Sequence, residues 1–434
     1  MYLVATFLCS LAWGSANNLL EITGKICKFD FFLLDWQITI IYIITFQLKM
    51  DKKSILLLTL VHPDFLPPVY AVAQVLRDQG YNIRILTFDS FVPAELNLGG
   101  NIELESVGKH YDVNTIERIR LRNKFMKRAR QLSYENPTAI ISFCPFSFNC
   151  GIKIKNKVPL IYIALEVSDF VFHDFLRSPL SFYRNLRTFQ NIDKANLIAT
   201  PSIQRSAWLA GRCQLSIMPY TILNTSYLSD QDTENSFETF KELVPQDFLN
   251  KKILLYTGAV NSQQCTLELV QGFDQANNPE SALIITGIKD NDYCNEIREI
   301  AEKSNARERI LLFPYLPRRQ MLSLQSNADI GVYLSKEYFN KIQSKMIAPN
   351  KVGEYMGKGL YLLGINNEYL RPFEMKGIAS LATSPKPHDI SIAIKNALHA
   401  VNKKDYKIKI KEFVLDYFCM QKQLVPVIQF LNKL

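Results

Sequence analysis

From Met50 onward, short apolar runs recur at intervals filled by helical patterns, and this alternation leaves few folds open. SILLLTLV (54–61), NIRILTF (82–88), NIELESV (101–107), TAIISF (138–143), PLIYIAL (159–165) and NLIATP (196–201) have the length and composition of strands. Between the first two, PPVYAVAQVLRDQG opens on prolines that suit a first helical turn and closes at Gly80. Apolar strands spaced by helices predict a parallel, doubly wound α/β sheet, because crossover helices cover both faces.

Near Asn224 the texture changes. TSYLSDQDTENSFETFKELVPQDFLNKK is polar and acidic and has no buried run, as expected of a connection between domains. The pattern then restarts: strand ILLYTG (253–258), a helix from Leu267 to Ala276, strand ALIITG (282–287), a helix from Tyr293 to Lys303, and strand RILLFPYL (309–316). Helix RRQMLSLQSNA and strand DIGVYL (329–334) follow, and Asp405 to Leu434 reads as mostly helical. A chain of 434 residues with 48% hydrophobic residues can bury two cores. The expected organisation is an extension over 1–49, a Rossmann-like domain over 50–222, a linker over 223–250, a second such domain over 251–404, and a helical segment over 405–434.

The first 49 residues differ from the rest. Their charges cancel, so the net +9 belongs to residues 50–434. Phe31 to Phe46 is apolar but short, and Asp35 and Gln37 interrupt it, whereas a membrane helix needs about 20 apolar residues. A membrane anchor, a cleaved signal and a misplaced start codon compete for this segment; MDKKSILLLTLVHPDF from Met50 reads as a natural beginning. The eight cysteines include no Cys-x-x-Cys pair and lie in apolar runs, which fits reduced thiols in the cytoplasm. The five histidines are scattered, so no structural zinc site is expected.

APNKVGEYMGKGLYLLGI (348–365) carries the chemistry. Pro349 starts a short helix, Gly357 and Gly359 stop it, and LYLLGI continues as a buried strand. Lys351 and Glu354 then share a face at i,i+3 near a helix N-terminus, an end that attracts anions. Read alone, the pattern favours an exposed ion pair of Glu354 with Lys358 at i,i+4, which contributes about 0.3–0.5 kcal/mol.

ILLYTGAV, ALIITG, RILLFPYLPRRQM, NADIGVYL and APNKVGEYMGKGLYLLG, in this order, resemble the nucleotide-sugar-binding half of GT-B glycosyltransferases. They look most like the retaining bacterial family 4-like (group 1) enzymes related to glycogen and sucrose synthases. The Pro-x-Lys-x-x-Glu-Tyr-Met core is matched by Pro349, Lys351, Glu354, Tyr355 and Met356, and the likeness covers roughly residues 252–400. In the first half it rests on strand order, IYIALEVSD and DKANLIATPS.

The resemblance implies two Rossmann-like domains facing across a cleft. A nucleotide-diphosphate sugar would lie against the second, its ribose on Glu354 and its diphosphate on Lys351, Lys345 and the backbone and polar groups of Gly258 and Asn261. The base would border Phe313 to Leu316, with Tyr315 among its contacts. The acceptor would enter from the first domain, where His62 and Glu166, the candidate catalytic residues, sit at strand ends. No cofactor and no metal are called for.

Three departures qualify this picture. Relatives carry a glutamate eight positions before Glu354, where this chain has Met346. They place cations after the first strand of the donor half, where TGAVNSQQCTLEL has none; Lys336, Lys341, Lys345 and Lys351 are the candidate substitutes. They have a Gly-Gly turn after the very first strand, where VHPDFLPP stands here.

RIRLRNKFMKRAR (118–130) holds seven cations in thirteen residues, with Leu121, Phe125 and Ala129 in one i,i+4 row. It reads either as a helix packed on the sheet by that row or as a peripheral contact with an anionic inner-membrane face. Nucleic acid is not expected, since a pI near 8.9 comes with no reader motif. The functional expectation is a glycosyltransferase of cell-surface polysaccharide synthesis with a glycan or lipid-linked acceptor. A nucleotide-sugar epimerase and a non-catalytic partner of the same fold are the alternatives.

Overall fold

The computed structural model describes residues 53–89, 99–111, 113–166, 178–228, 236–336, 346–403 and 405–434. Residues Ser54–Leu434 form one compact unit holding two sheets.

The first sheet contains β1 (Ser54–Leu58), β2 (Asn82–Thr87), β3 (Ile102–Ser106), β4 (Ala139–Ser142), β5 (Leu160–Ile163), β6 (Leu197–Thr200) and β7 (Tyr220–Thr221) in the order β3-β2-β1-β4-β5-β6-β7, all parallel. Its helices are α1 (Pro67–Asp78), α2 (Thr115–Ser133), α3 (Pro145–Ile154), α4 (Pro179–Gln190) and α5 (Ile203–Cys213). The run SILLL shows why the strands are continuous apolar stretches. Ile55 and Leu57 face the core shared with Val69 and Val72 of α1, while Leu56 and Leu58 face the core shared with Phe125 of α2 and Phe148 of α3. Caps fix where the helices begin: Asn114 accepts from the Glu117 amide at 2.9 Å, and Ser202 from the Arg205 amide at 3.2 Å.

The second sheet contains β8 (Lys252–Tyr256), β9 (Ser281–Thr286), β10 (Ile310–Phe313), β11 (Ile330–Tyr333), β12 (Tyr361–Ile365) and β13 (Ala379–Ala382) in the order β10-β9-β8-β11-β12-β13, again all parallel. Its helices are α6 (Ser236–Leu243), α7 (Thr266–Ala276), α8 (Asp292–Lys303), α9 (Arg318–Asn327), α10 (Asn350–Gly357), α11 (Arg371–Met375), α12 (Pro387–Val401) and α13 (Tyr406–Tyr417). The architecture is thus two Rossmann-like α/β halves. Strand order reverses between β1 and β4 in one sheet and between β8 and β11 in the other, and the crevices beyond such reversals are where open α/β sheets bind ligands.

The chain crosses between the halves twice. Ile222–Leu228 leads out of the first sheet, and after α13 the short helices α14 (Met420–Gln423) and α15 (Val425–Leu431) return Met420, Leu424, Val427 and Leu431 to the first half's core. The crossings are tied together: the Met420 amide donates to Ser226 O at 3.0 Å and the Leu223 amide to Gln423 Oε1 at 3.0 Å. The outgoing crossing also lies along α10, where Asn224 Nδ2 donates to Ala348 O at 2.8 Å and Ser226 Oγ to Gly353 O at 3.0 Å. Among the described residues no helix is long and apolar enough to cross a membrane.

Candidate functional site

The site begins with how α10 is pinned. Val352, Gly353, Tyr355 and Met356 are buried, which leaves Lys351, Glu354 and Lys358 along the opposite face. Tyr355 sets that rotation. Its ring packs so closely on β11 that only a glycine fits at Gly331, and its hydroxyl accepts from the Thr257 amide at 2.9 Å and contacts Thr257 Oγ1 at 3.0 Å. The adjacent Glu-Tyr pair thus divides its work: Tyr355 anchors the helix to the end of β8, and Glu354 is turned away from that core.

Lys351 lies at the strand reversal. Its ammonium sits 4.2 Å from the centre of the Tyr256 ring and 6.0 Å from that of Tyr333, the last residues of β8 and β11. Burial beneath these rings pushes it down to about 7, against the pull of Glu354 one turn away. Among the described residues no carboxylate forms an ion pair with it. Its stem passes 3.6 Å from where a Cβ on Gly258 would stand. Gly258 and Gly287 both take left-handed backbone, at φ +101° and +98°, and Gly287 also donates to Phe313 O at 3.0 Å. A Cβ on Gly287 would come within 1.9 Å of Gly258 O, so the loops after β8, β9 and β10 stack only because this residue has none. Tyr315 stands on the third of these loops, partly exposed, with the Lys289 ammonium 5.4 Å over its ring.

Glu354 makes an ion pair with Arg318, the first residue of α9, and both side chains are mostly buried. Gln325 of α9 donates to its other oxygen at 3.4 Å. The sequence considered Lys358 as partner; the structure supplies Arg318, which stands 36 positions earlier and shows no local pattern linking it to Glu354. Glu354, Arg318 and Gln325 line a cavity of about 550 Å³ whose other walls include Tyr70 and Gln74 of α1 and Tyr227 of the crossing segment. The pair is therefore reached from both halves.

The remaining expected residues are placed as follows. Asn261 caps a short 3₁₀ turn, its Oδ1 accepting from the Gln264 amide at 3.1 Å, so only its amide nitrogen is left for a ligand. Lys345 lies outside the described residues, as does Lys341. Lys336 is engaged at 2.5 Å by Glu268 of α7. Met346 is buried, and its carbonyl accepts from Arg205 Nε of α5 at 2.8 Å, while the same guanidinium donates to Leu165 O. Arg205 thus joins the end of β5 to the segment entering α10, a contact the sequence reading did not foresee.

On the first sheet, His62 follows β1 and is buried; its Nδ1 accepts from the Asp64 amide at 3.3 Å, capping the turn Pro63–Phe65. Glu166 is exposed at the end of β5, two strands away from β1 in the sheet, so the structure does not group it with His62. Of two Asp-x-Asp runs, Asp230 and Asp232 lie outside the described residues, and Asp290 and Asp292 flank the cap of α8 on the surface. Among the described residues no cluster of three His, Cys, Asp or Glu stands close enough to share a metal ion.

No family profile matches this sequence, and no curated protein matches it. The fold does match solved structures. Sucrose-phosphate synthase from Thermosynechococcus elongatus superposes with a TM-score of 0.60 at 14% identity, over 88% of this chain and 99% of that one. HepE of Anabaena, solved with UDP and glucose, gives 0.59 at 14% identity, over 88% and 100%. A protein described as a UDP-N-acetylglucosamine 2-epimerase from Listeria monocytogenes gives 0.53 at 12% identity, over 83% and 91%. The fold of this chain is the two-domain GT-B arrangement of glycosyltransferases.

Proposed function

We propose that this chain is a glycosyltransferase that moves a sugar from a nucleotide-diphosphate donor to an acceptor held by the first half. The observation that carries the reading is the face of α10, where an ammonium with no ion pair among the described residues lies at the strand reversal, one turn from a carboxylate. Lys351 and the glycine loops suit a diphosphate, whose negative charge grows as it leaves. Glu354, oriented by Arg318, suits the two hydroxyls of a ribose, since a carboxylate accepts from both. Because HepE was solved with UDP and with UDP-glucose, a uridine diphosphate sugar is the first donor to test.

In transfer, the C1–O bond to the diphosphate breaks and a C1–O bond to the acceptor forms. With retention the acceptor enters on the leaving-group side, so the departing phosphate oxygen can take the hydroxyl proton. On this reading positive charge from Lys351 and aligned amides stabilises the leaving group, and no metal is required. The exposed cations of α2 support a finer proposal, a peripheral inner-membrane site with a lipid-linked acceptor in cell-surface polysaccharide synthesis. Leu121, Phe125 and Ala129 are buried on the sheet, leaving Lys124, Lys127 and Arg130 on the outer face beside exposed Ile116 and Ile119.

The epimerase reading keeps a place because of the Listeria neighbour. Incubating the full chain with UDP-glucose and with UDP-N-acetylglucosamine, with and without candidate acceptors, tests both. A new glycoside plus UDP is the expected product. An epimerised sugar formed without acceptor would replace the proposal with the epimerase, and the absence of any turnover would favour a non-catalytic partner.

A further inference from the structure

The carboxyl edge of the first sheet holds arginines without acidic partners. Several other arginines of this half are matched by acids: Arg84 pairs with Glu103 and Glu135, Arg120 with Glu117, and Arg128 with Glu105. Arg118 and Arg122, in the first two turns of α2, and Arg184 of α4 have no carboxylate partner among the described residues. Among the described residues, Arg118 donates to Val113 O, at 3.4 Å. Arg122 donates through Nε to His110 Nε2 at 3.2 Å, with its guanidinium 5.5 Å over the Phe146 ring. Arg184 reaches Ser181 Oγ at 2.9 Å, and its Nε is buried without a partner.

These groups share one locality. Burial pushes His110 down to about 4, and Arg122, Arg118 and Arg184 all push it the same way, so the imidazole is neutral and its Nε2 accepts a hydrogen bond from Arg122 Nε. The floor is aromatic: Phe88 lies 4.6 Å from His110 and stacks on Phe125 at 5.2 Å, with Phe146 beside both. Among the described residues, nearby acids are otherwise placed: Asp89 accepts from Ser106 Oγ, Glu117 pairs with Arg120, and Glu166 is exposed beyond β5. Cations gathered over an apolar floor repel one another and gain most from a multivalent anion.

We propose that Arg118, Arg122 and Arg184 form a phosphate-binding subsite for the acceptor, which is therefore a phosphate-bearing molecule. The inference rests on the glycosyltransferase reading for the word acceptor, and on the arginine cluster alone for the anion. Guanidinium groups suit phosphate because their planar forks meet two oxygens at once. The subsite lies on the early turns of α2 and the middle of α4, the helices that follow β3 and β5 in the first half. The phosphate can be a monoester on a soluble sugar or part of a lipid-linked carrier; the chemistry at the arginines is the same.

The test is phosphate binding by the full chain, with UDP present in excess to occupy the donor face. Inorganic phosphate is titrated calorimetrically while the His110 ring is followed by NMR. Binding is expected, with an upward shift of the His110 titration, because an anion would relieve the cationic field. Arg122→Gln with Arg184→Gln should weaken phosphate tenfold or more and leave UDP affinity within about twofold, which also shows that the variant is folded. The milder Arg122→Lys should retain part of the affinity. Glucose 6-phosphate and phosphatidylcholine vesicles carrying undecaprenyl phosphate then separate the soluble and lipid-linked sources. Phosphate binding that ignores these substitutions, or no binding while UDP binds, overturns the proposal. Arginine-dependent phosphate binding without UDP binding would instead sink the donor reading and leave the anion site standing.

Discussion

The two sheet edges meet where Arg205 reaches Met346, yet they are built differently. The second half makes its edge from backbone. Gly258 and Gly287 let three loops stack, one lysine sits beneath them, and one glutamate follows on the same helix face. The first half has no glycine turn after β1. His62 closes that strand with a local cap, and the charge arrives on long side chains from α2 and α4. A backbone-built edge presents fixed amides to one invariant group, such as a diphosphate. A side-chain-built edge can be altered residue by residue, as suits a partner that differs between enzymes of one fold.

If that contrast is right, the second half should fail at its glycines. Gly287→Ala would force a Cβ into Gly258 O and strain a left-handed residue. We expect a loss of about 3 kcal/mol in stability, read as a lower denaturation midpoint, together with loss of nucleotide binding. A wild-type midpoint would show that the loops do not depend on this packing.

Lys351 gives the next effect. Held near 7 in the free protein, it must be charged to favour a diphosphate. UDP-glucose, whose diphosphate has no group titrating near neutrality, should bind less tightly as pH rises through about 7, by at most about tenfold per unit. Lys351→Met should weaken binding at pH 6 and flatten the profile; a slope that survives in the variant would point to another group.

Arg205→Ala removes the contact between the edges. The transfer rate is predicted to fall about tenfold through looser placement of the two substrates, with UDP affinity little changed. An unchanged rate would make Arg205 a folding contact only.

The smallest effect is the control. Gly211 in α5 has nothing within 4 Å of a new Cβ, so Gly211→Ala should stabilise the protein by about 0.5–1 kcal/mol. A glycine of the first half that proved as sensitive as Gly287 would erase the contrast.

The same difference governed what the sequence disclosed. Strands such as SILLL and ALIIT were readable because both faces are buried and all but a terminal Ser or Thr are apolar. Two strands escaped: β7 is two residues at an edge, and β13 is Ala-Ser-Leu-Ala, with no branched run to mark it. The row Leu121, Phe125 and Ala129 was readable as a packing face because helical spacing alone defines it. Lys351 and Glu354 were visible because both lie on one helix. Arg318, Arg205 and the cluster of Arg118, Arg122 and Arg184 were not, since each acquires meaning only from a partner brought near by the tertiary fold. The basic run 118–130 announced its charge, but nothing in it showed that Arg120 and Arg128 are matched by acids while Arg122 faces His110.

The most direct test of the central claim is a calorimetric titration of the full chain with UDP, GDP, ADP and CMP, beside Glu354→Ala. The account predicts that one nucleoside diphosphate binds selectively. It also predicts that the variant binds it more weakly by about 2–4 kcal/mol, thirtyfold or more, through the loss of two charge-assisted hydrogen bonds. Equal affinity in a folded variant, or no binding of any nucleotide, would reduce Glu354 to a buried partner of Arg318 and remove the donor site from α10.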